Sequence, residues 1–132
     1  MALDLDDPLR VLYVEDDRVC ALLIAQTMAA EPGIDLVIAE DGAEALAAVS
    51  GSWTPALLVL DAHLPDTSGH ALLARLRALP GLLQAPACMC SADDLADDYQ
   101  RAAAAGFEHH WTKPVATASV LACLQAQKAA LR

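Results

Sequence analysis

Five short apolar runs alternate with five longer helical segments along this 132-residue chain, and that alternation leaves few folds open. The apolar runs are Arg10–Val14, Asp35–Ala39, Ala56–Leu60, Ala87–Cys90 and His109–Trp111. The first helical segment, Arg18–Ala30, follows acidic residues suited to a helix N-terminus and stops before Pro32-Gly33. Gly42–Ser50 is short and alanine-rich. Ser68–Leu79 carries Leu72, Leu73 and Leu76 at helical spacing and stops at Pro80-Gly81. Asp93–Ala105 sets Leu95, Tyr99 and Ala102 along one stripe ahead of Gly106, a good C-cap, and Ala116–Leu131 follows Pro114. Strict strand–helix alternation predicts an α/β domain, with a parallel sheet covered by helices on both faces. In such a sheet the ligand site lies beyond the carboxyl ends of the strands.

The residues at those ends carry unusual chemistry. Leu57–Leu60 reads as a strand buried on both faces, and it runs straight into Asp61. A carboxylate there is costly unless something pairs with it or coordinates it. The first strand leads into Glu15-Asp16-Asp17, the fourth into Ser91 and the fifth into Lys113-Pro114. Carboxylates held close together repel, and their ionised state calls for a hard cation. Magnesium suits such a set, with manganese as the substitute, because it takes one or two carboxylates and keeps positions for water and phosphate oxygens. No histidine cluster or thiolate set favours zinc. A lysine point charge and a serine hydroxyl complete a site able to accept a phosphoryl group on an aspartate. Each part has a structural explanation by itself: the acidic run favours the first helix, Ser91 caps a helix, and Lys-Pro is a common loop dipeptide. His109-His110 does not chelate one ion, because neighbours on a strand point to opposite faces.

Charge and composition narrow the function further. The formal net charge of −10 argues against sequence-independent nucleic-acid binding. Much of it comes from Asp4, Asp6 and Asp7 and from Asp93, Asp94, Asp97 and Asp98, read as a solvated tail and a solvated helix face. No apolar run is long enough to cross a bilayer, and the acidic MALDLDD start is unlike a secretory signal. Cys20, Cys88, Cys90 and Cys123 are scattered in apolar surroundings, as reduced core residues of a cytoplasmic protein would be.

Taken together, "VLYVEDD", "LVLDAHLPDTSG", "CMCSADD" and "HWTKP" closely resemble the motifs of the receiver domain of two-component response regulators, over about Leu9 to Leu124. The resemblance implies a flavodoxin-like (βα)5 fold with strand order 2-1-3-4-5. It makes Asp61 the phosphoacceptor, and assigns the Mg2+ (or Mn2+) site to Glu15, Asp16, Asp61 and the backbone carbonyl of His63. Ser91 and Ala92 fall where the family contacts the phosphate, and Lys113 at the lysine that pairs with it. The family often carries Tyr or Phe three residues before that lysine, as a rotamer switch. Here His110 stands at that position, an imidazole smaller than the usual aromatic switch, and this departs from the family pattern. The His63 side chain either tunes loss of the phosphate or is a loop residue without a role.

The implied partners are a sensor histidine kinase or a histidine phosphotransfer protein as donor, and a downstream protein on the face made by the fourth helix, fifth strand and fifth helix. The chain is expected to be a single domain, with residues 1–8 as an acidic lead-in, 9–131 as the core and no output domain. It reads as a stand-alone receiver, from its Met1 start, or as the receiver of a hybrid sensor kinase, from "GFEHHWTKPV". Homodimerisation stays open, since Arg101 is the one basic residue of the fourth helix. Two other functions compete. A phosphatase with an aspartyl-phosphate intermediate would place its nucleophile after the first strand in a D-x-D pattern, where this chain has Glu15 and Asp17. A degenerate receiver acting only by binding would lack the acceptor, an acidic residue or the lysine, and none is missing.

Overall fold

The computed structural model describes residues 8–49, 52–92 and 96–130. Strands β1 (Leu9–Val14), β2 (Ile34–Ala39), β3 (Leu57–Asp61), β4 (Ala87–Ser91) and β5 (His109–Thr112) alternate with helices α1 (Arg18–Ala29), α2 (Gly42–Ala48), α3 (Gly69–Arg77), α4 (Ala96–Ala105) and α5 (Thr117–Ala130). All the strand pairs are parallel, in the order β2-β1-β3-β4-β5. The expected fold is therefore the observed one. Boundaries shift by a residue or a few, and two shifts matter: Asp61 and Ser91 are the last residues of their strands rather than the first residues beyond them. The acidic lead-in up to Asp7, Ser50, the Asp93–Leu95 start expected for the fourth helix, and Leu131 lie outside the described residues.

Strand alternation divides the interior in two. Leu12, Val14, Leu58, Leu60, Ala87 and Met89 point to one side, where Ala45 of α2, Leu72, Leu73 and Leu76 of α3 and Ala102 of α4 cover them. Leu9, Val11, Tyr13, Leu57, Val59, Cys88 and Cys90 point to the other, under Ile24 and Met28 of α1 and Val120 and Leu124 of α5. Strands β3 and β4 are buried along their whole length, as central strands of a parallel sheet must be. The stripe expected along α4 holds only in part. Ala102 is buried, but Tyr99 is 40% exposed and leans on β5 instead of the core.

The helix ends aim the loops that carry the site. Asp17 caps α1, its side chain accepting from the Val19 and Cys20 N–H groups. Ser68 caps α3 by accepting from the Ala71 N–H. Gly106 ends α4 at φ +107°, a conformation that side chains with a Cβ adopt only under strain. The Leu9 and Glu15 N–H groups donate to Gly33 and Ala39 at either end of β1, and the Ala56 N–H donates to Arg10, so β1 is held in register with β2 on one side and β3 on the other.

Candidate functional site

The carboxyl ends of β1, β3, β4 and β5 meet at one edge of the sheet. Glu15 lies immediately past β1, its N–H bonded to the Ala39 carbonyl, and its side chain has no exposed surface. Asp61 ends β3 and is 5% exposed; it faces Cys90 across the β3–β4 pair. Lys113 follows β5, and its N–H donates to the Ser91 carbonyl at 2.7 Å, which ties the ends of β4 and β5 together. Its Nζ lies 2.8 Å from Glu15 Oε1 and 3.3 Å from Asp61 Oδ2. One ammonium thus bridges two buried carboxylates. Asp16 is exposed at the rim.

This arrangement answers how a carboxylate ends a fully buried strand. Lys113 compensates Asp61, and the His63 N–H donates to Asp61 Oδ1 at 3.3 Å. Burial, followed by the neighbouring Asp61, raises the Glu15 pKa above the usual carboxylate range, while Lys113 pulls it back. Burial works against the charge on Lys113, but its hydrogen bond to Glu15 and the Asp61 charge outweigh that and push its pKa up. Lys113 stands between the two carboxylates, so removing its charge leaves both without their nearest cation.

Carboxylate oxygens of Glu15, Asp16 and Asp61 all lie within 4.8 Å of one another. Three oxygens that close, one set facing solvent, fit a hard divalent cation. The cluster can therefore bind a divalent metal. The backbone of α3 approaches the same place. A Cβ on Gly69 would sit 2.6 Å from the Asp61 carbonyl oxygen, so only glycine lets the helix start against the end of β3.

The other expected residues line the neighbouring space. Ser91 is 4% exposed at the end of β4, and Ala92 beyond it is exposed. Ser91, His63, Ser68, His70 and His110 border a cavity of about 320 Å³ beside the pocket. His110, on β5, has its ring 4.2 Å from that of Tyr99 in an edge-on contact, and its buried Nδ1 has no hydrogen-bond partner. The Tyr99 hydroxyl lies 3.0 Å from Thr112 Oγ1. An aromatic ring does stand next to His110, and α4 supplies it. His109 instead stacks on Trp111, so the adjacent histidines point apart as strand geometry requires. The His63 side chain is exposed.

Two residues of the site were not singled out from sequence. Tyr13 donates its hydroxyl to Glu15 Oε1 at 3.3 Å from within β1. Its signal was a lone hydroxyl in the apolar run "VLYV". Asp66, in the β3–α3 loop, accepts from the Gly42 and Ala43 N–H groups at 2.9 and 3.0 Å. It binds that loop to the start of α2, a contact over 24 positions that local pattern does not reveal. Those hydrogen bonds, that from Gly42 foremost, lower the Asp66 pKa. A lowered folded pKa contributes stability above the unfolded value, and the contribution is lost as pH falls through the folded one. Asp66→Ala is therefore expected to melt lower than the parent at neutral pH, with the gap closing in strong acid. Thermal melts across pH check this; a gap that persists in acid would assign it to packing instead.

Comparison with known proteins fits this geometry. The family model described as "Response regulator receiver domain" matches residues 11–125. The chain is 35% identical over 120 residues to the probable transcriptional regulatory protein TcrX of Mycobacterium tuberculosis, covering 90% of this chain and 49% of that protein. It is 38% identical over 74 residues to a protein-glutamate methylesterase/protein-glutamine glutaminase of Anaeromyxobacter dehalogenans, covering 55% of this chain and 21% of that one. The chain thus spans about half or less of the length of these curated relatives. Among solved structures, the Mn2+-bound form of response regulator Rcp1 superposes with a TM-score of 0.73 at 24% identity, covering 90% of this chain and 91% of that one. No described helix is long and apolar enough to cross a membrane. A five-stranded sheet in this order, an acidic pocket of the kind phosphoacceptor regulators carry, and a family match over most of the chain lead to one assignment: this chain belongs to the response regulator receiver domain family.

Proposed function

We propose that this chain is a phosphorylation-controlled signalling switch in which Asp61 is the phosphoacceptor. The observation that carries this reading is the Lys113 bridge: a half-buried ammonium within 3.3 Å of Asp61 and 2.8 Å of Glu15, at the mouth of an acidic trio. A phosphohistidine on a sensor kinase or a phosphotransfer protein is the donor. An Asp61 carboxylate oxygen attacks phosphorus, the phosphorus–nitrogen bond breaks, and the imidazole leaves. Glu15, Asp16, Asp61 and the His63 backbone carbonyl would hold magnesium, or manganese in its place. When bound, such a cation supplies charge neutralisation between the carboxylates and the phosphoryl oxygens.

Position at the site supports the remaining roles in this reading. Lys113 pairs with the phosphoryl group on Asp61. The Ser91 hydroxyl and the Ala92 backbone receive its oxygens from the end of β4. As that loop draws inward, the cavity beside Ser91 takes up the His110 ring, whose unpartnered Nδ1 gains by moving. His110 and Tyr99 then carry the change to the face of α4, β5 and α5, where a downstream protein reads it.

The donor's approach has a counterpart on α1. Val19, Leu22 and Leu23 are each more than half exposed on the helix that starts beside the acidic pocket. A patch of that kind beside a reactive site is the place for a donor helix to dock. Leu22→Asp with Leu23→Asp is expected to slow transfer from a phosphohistidine protein at least tenfold. Labelling by a small acyl phosphate, which needs no docking, should stay within about twofold. Equal losses with both donors would place the damage in the pocket and remove α1 from the docking surface.

A further inference from the structure

We infer that Tyr13 is a positioning residue of the acidic pocket: its buried hydroxyl holds the Glu15 carboxylate in the place from which Glu15 serves as a cation ligand. This rests on the reading of Glu15 as a metal ligand proposed above. Tyr13 is 1% exposed, and its ring lies in the apolar layer beneath α1 and α5. Leu, Val or Phe would fill such a position without a polar atom. A buried hydroxyl is costly unless it is hydrogen-bonded, so its partner matters. That partner is Glu15 Oε1, two residues along the same strand line.

Glutamate needs such help. Compared with Asp61, it has one more rotatable bond between backbone and carboxylate, and more positions in which to place its oxygens. Three donors reach Glu15 here. Lys113 contacts both oxygens, the Asp17 N–H reaches Oε2 at 3.3 Å, and the Tyr13 hydroxyl reaches Oε1 at 3.3 Å. Lys113 is shared with Asp61 and is the group that must turn to a phosphoryl group arriving there. Tyr13 and the Asp17 N–H are the donors that stay, one on each oxygen.

The surroundings support the role. A narrow cleft of about 70 Å³ runs past Tyr13 and Glu15 between Leu23 and Ile24 of α1 and Pro114 and Val115 after β5. Its walls are mostly apolar, and a hydrogen bond to a carboxylate is stronger in such surroundings than in water.

The test is calorimetric titration of magnesium chloride into the whole chain without phosphodonor. It compares the parent with Tyr13→Phe, Glu15→Asp and the double variant, each with a thermal melt in chelator. Partners that orient a metal ligand are worth about 10–100-fold in affinity, and a bond of 3.3 Å belongs at or below the low end. Tyr13→Phe is thus expected to weaken magnesium binding about three- to tenfold while the chelated protein melts at the parental temperature or above. Aspartate at position 15 is one methylene too short to meet the hydroxyl. In that background Tyr13→Phe should change the affinity by about twofold or less. Unchanged affinity in Tyr13→Phe overturns the inference while leaving Glu15 as a ligand. An equal loss in both backgrounds also overturns it, because the effect would then not pass through the Glu15 carboxylate. A folded parent that takes up no magnesium removes the cation reading of the pocket itself.

Discussion

Incubated with magnesium and a small acyl phosphate, the protein gains the mass of one phosphoryl group, and Asp61→Asn gains none. Intact-mass spectrometry reads both results directly. The asparagine amide nitrogen and oxygen are poor nucleophiles, so the loss is complete rather than partial. The fold survives the exchange for a local reason. Asparagine is the same size as Asp61, it can still accept from the His63 N–H, and Lys113 keeps its shorter contact to Glu15. Addition of chelator should abolish the gain in the parent as well, because the three carboxylates then repel the incoming anion. A gain in both proteins would mean that another aspartate accepts the group. No gain in either would turn the pocket into a docking feature and make the chain a receiver that signals by binding alone.

Lys113→Met has the second largest effect, on stability as well as on function. With chelator present it leaves Glu15 and Asp61 buried side by side without a cation. Removing one partner of a buried ion pair typically costs 3–5 kcal/mol, but Lys113 is 20% exposed and water offsets part of that. A loss of about 2 kcal/mol is expected from denaturant melts. Magnesium should then recover most of it, since a cation bound by the native pocket and not by the unfolded chain stabilises by mass action. The rise in melting temperature on adding magnesium is thus larger for Lys113→Met than for the parent. A loss that magnesium does not touch would mean that the methionine disturbs the loop after β5 instead. The conclusion that Lys113 balances the two carboxylates would then be wrong.

How much of this was legible in the sequence depends on the range of the interaction. Asp61 was legible because the run Leu57–Leu60 has no polar residue to share the burial, and that is a local fact. The acidic run before α1 was legible as favouring that helix's start for the same reason, and Asp17 is the member of it that caps the helix. Tyr99 was misplaced. Helical spacing put it on the buried stripe with Ala102, but the position of α4 against β5 leaves it 40% exposed and turns its ring to His110. Asp66 passed unnoticed, since an aspartate after a proline reads as loop chemistry until α2 is seen to start above it.

By itself the sequence determined the alternation of strands and helices, the two faces of the sheet and the chemical inventory at the strand ends. These depend on periodicities of about two and 3.6 residues and on short stretches of chain. The tertiary structure alone decided who touches whom at that edge. It brings Lys113 to Glu15 across 98 positions, sets Tyr13 behind the same carboxylate, and leaves Asp16 at the rim while Asp61 is closed in. Such contacts are set by sheet register and by how closely each helix packs, and ångström differences there separate an ion pair from a near miss.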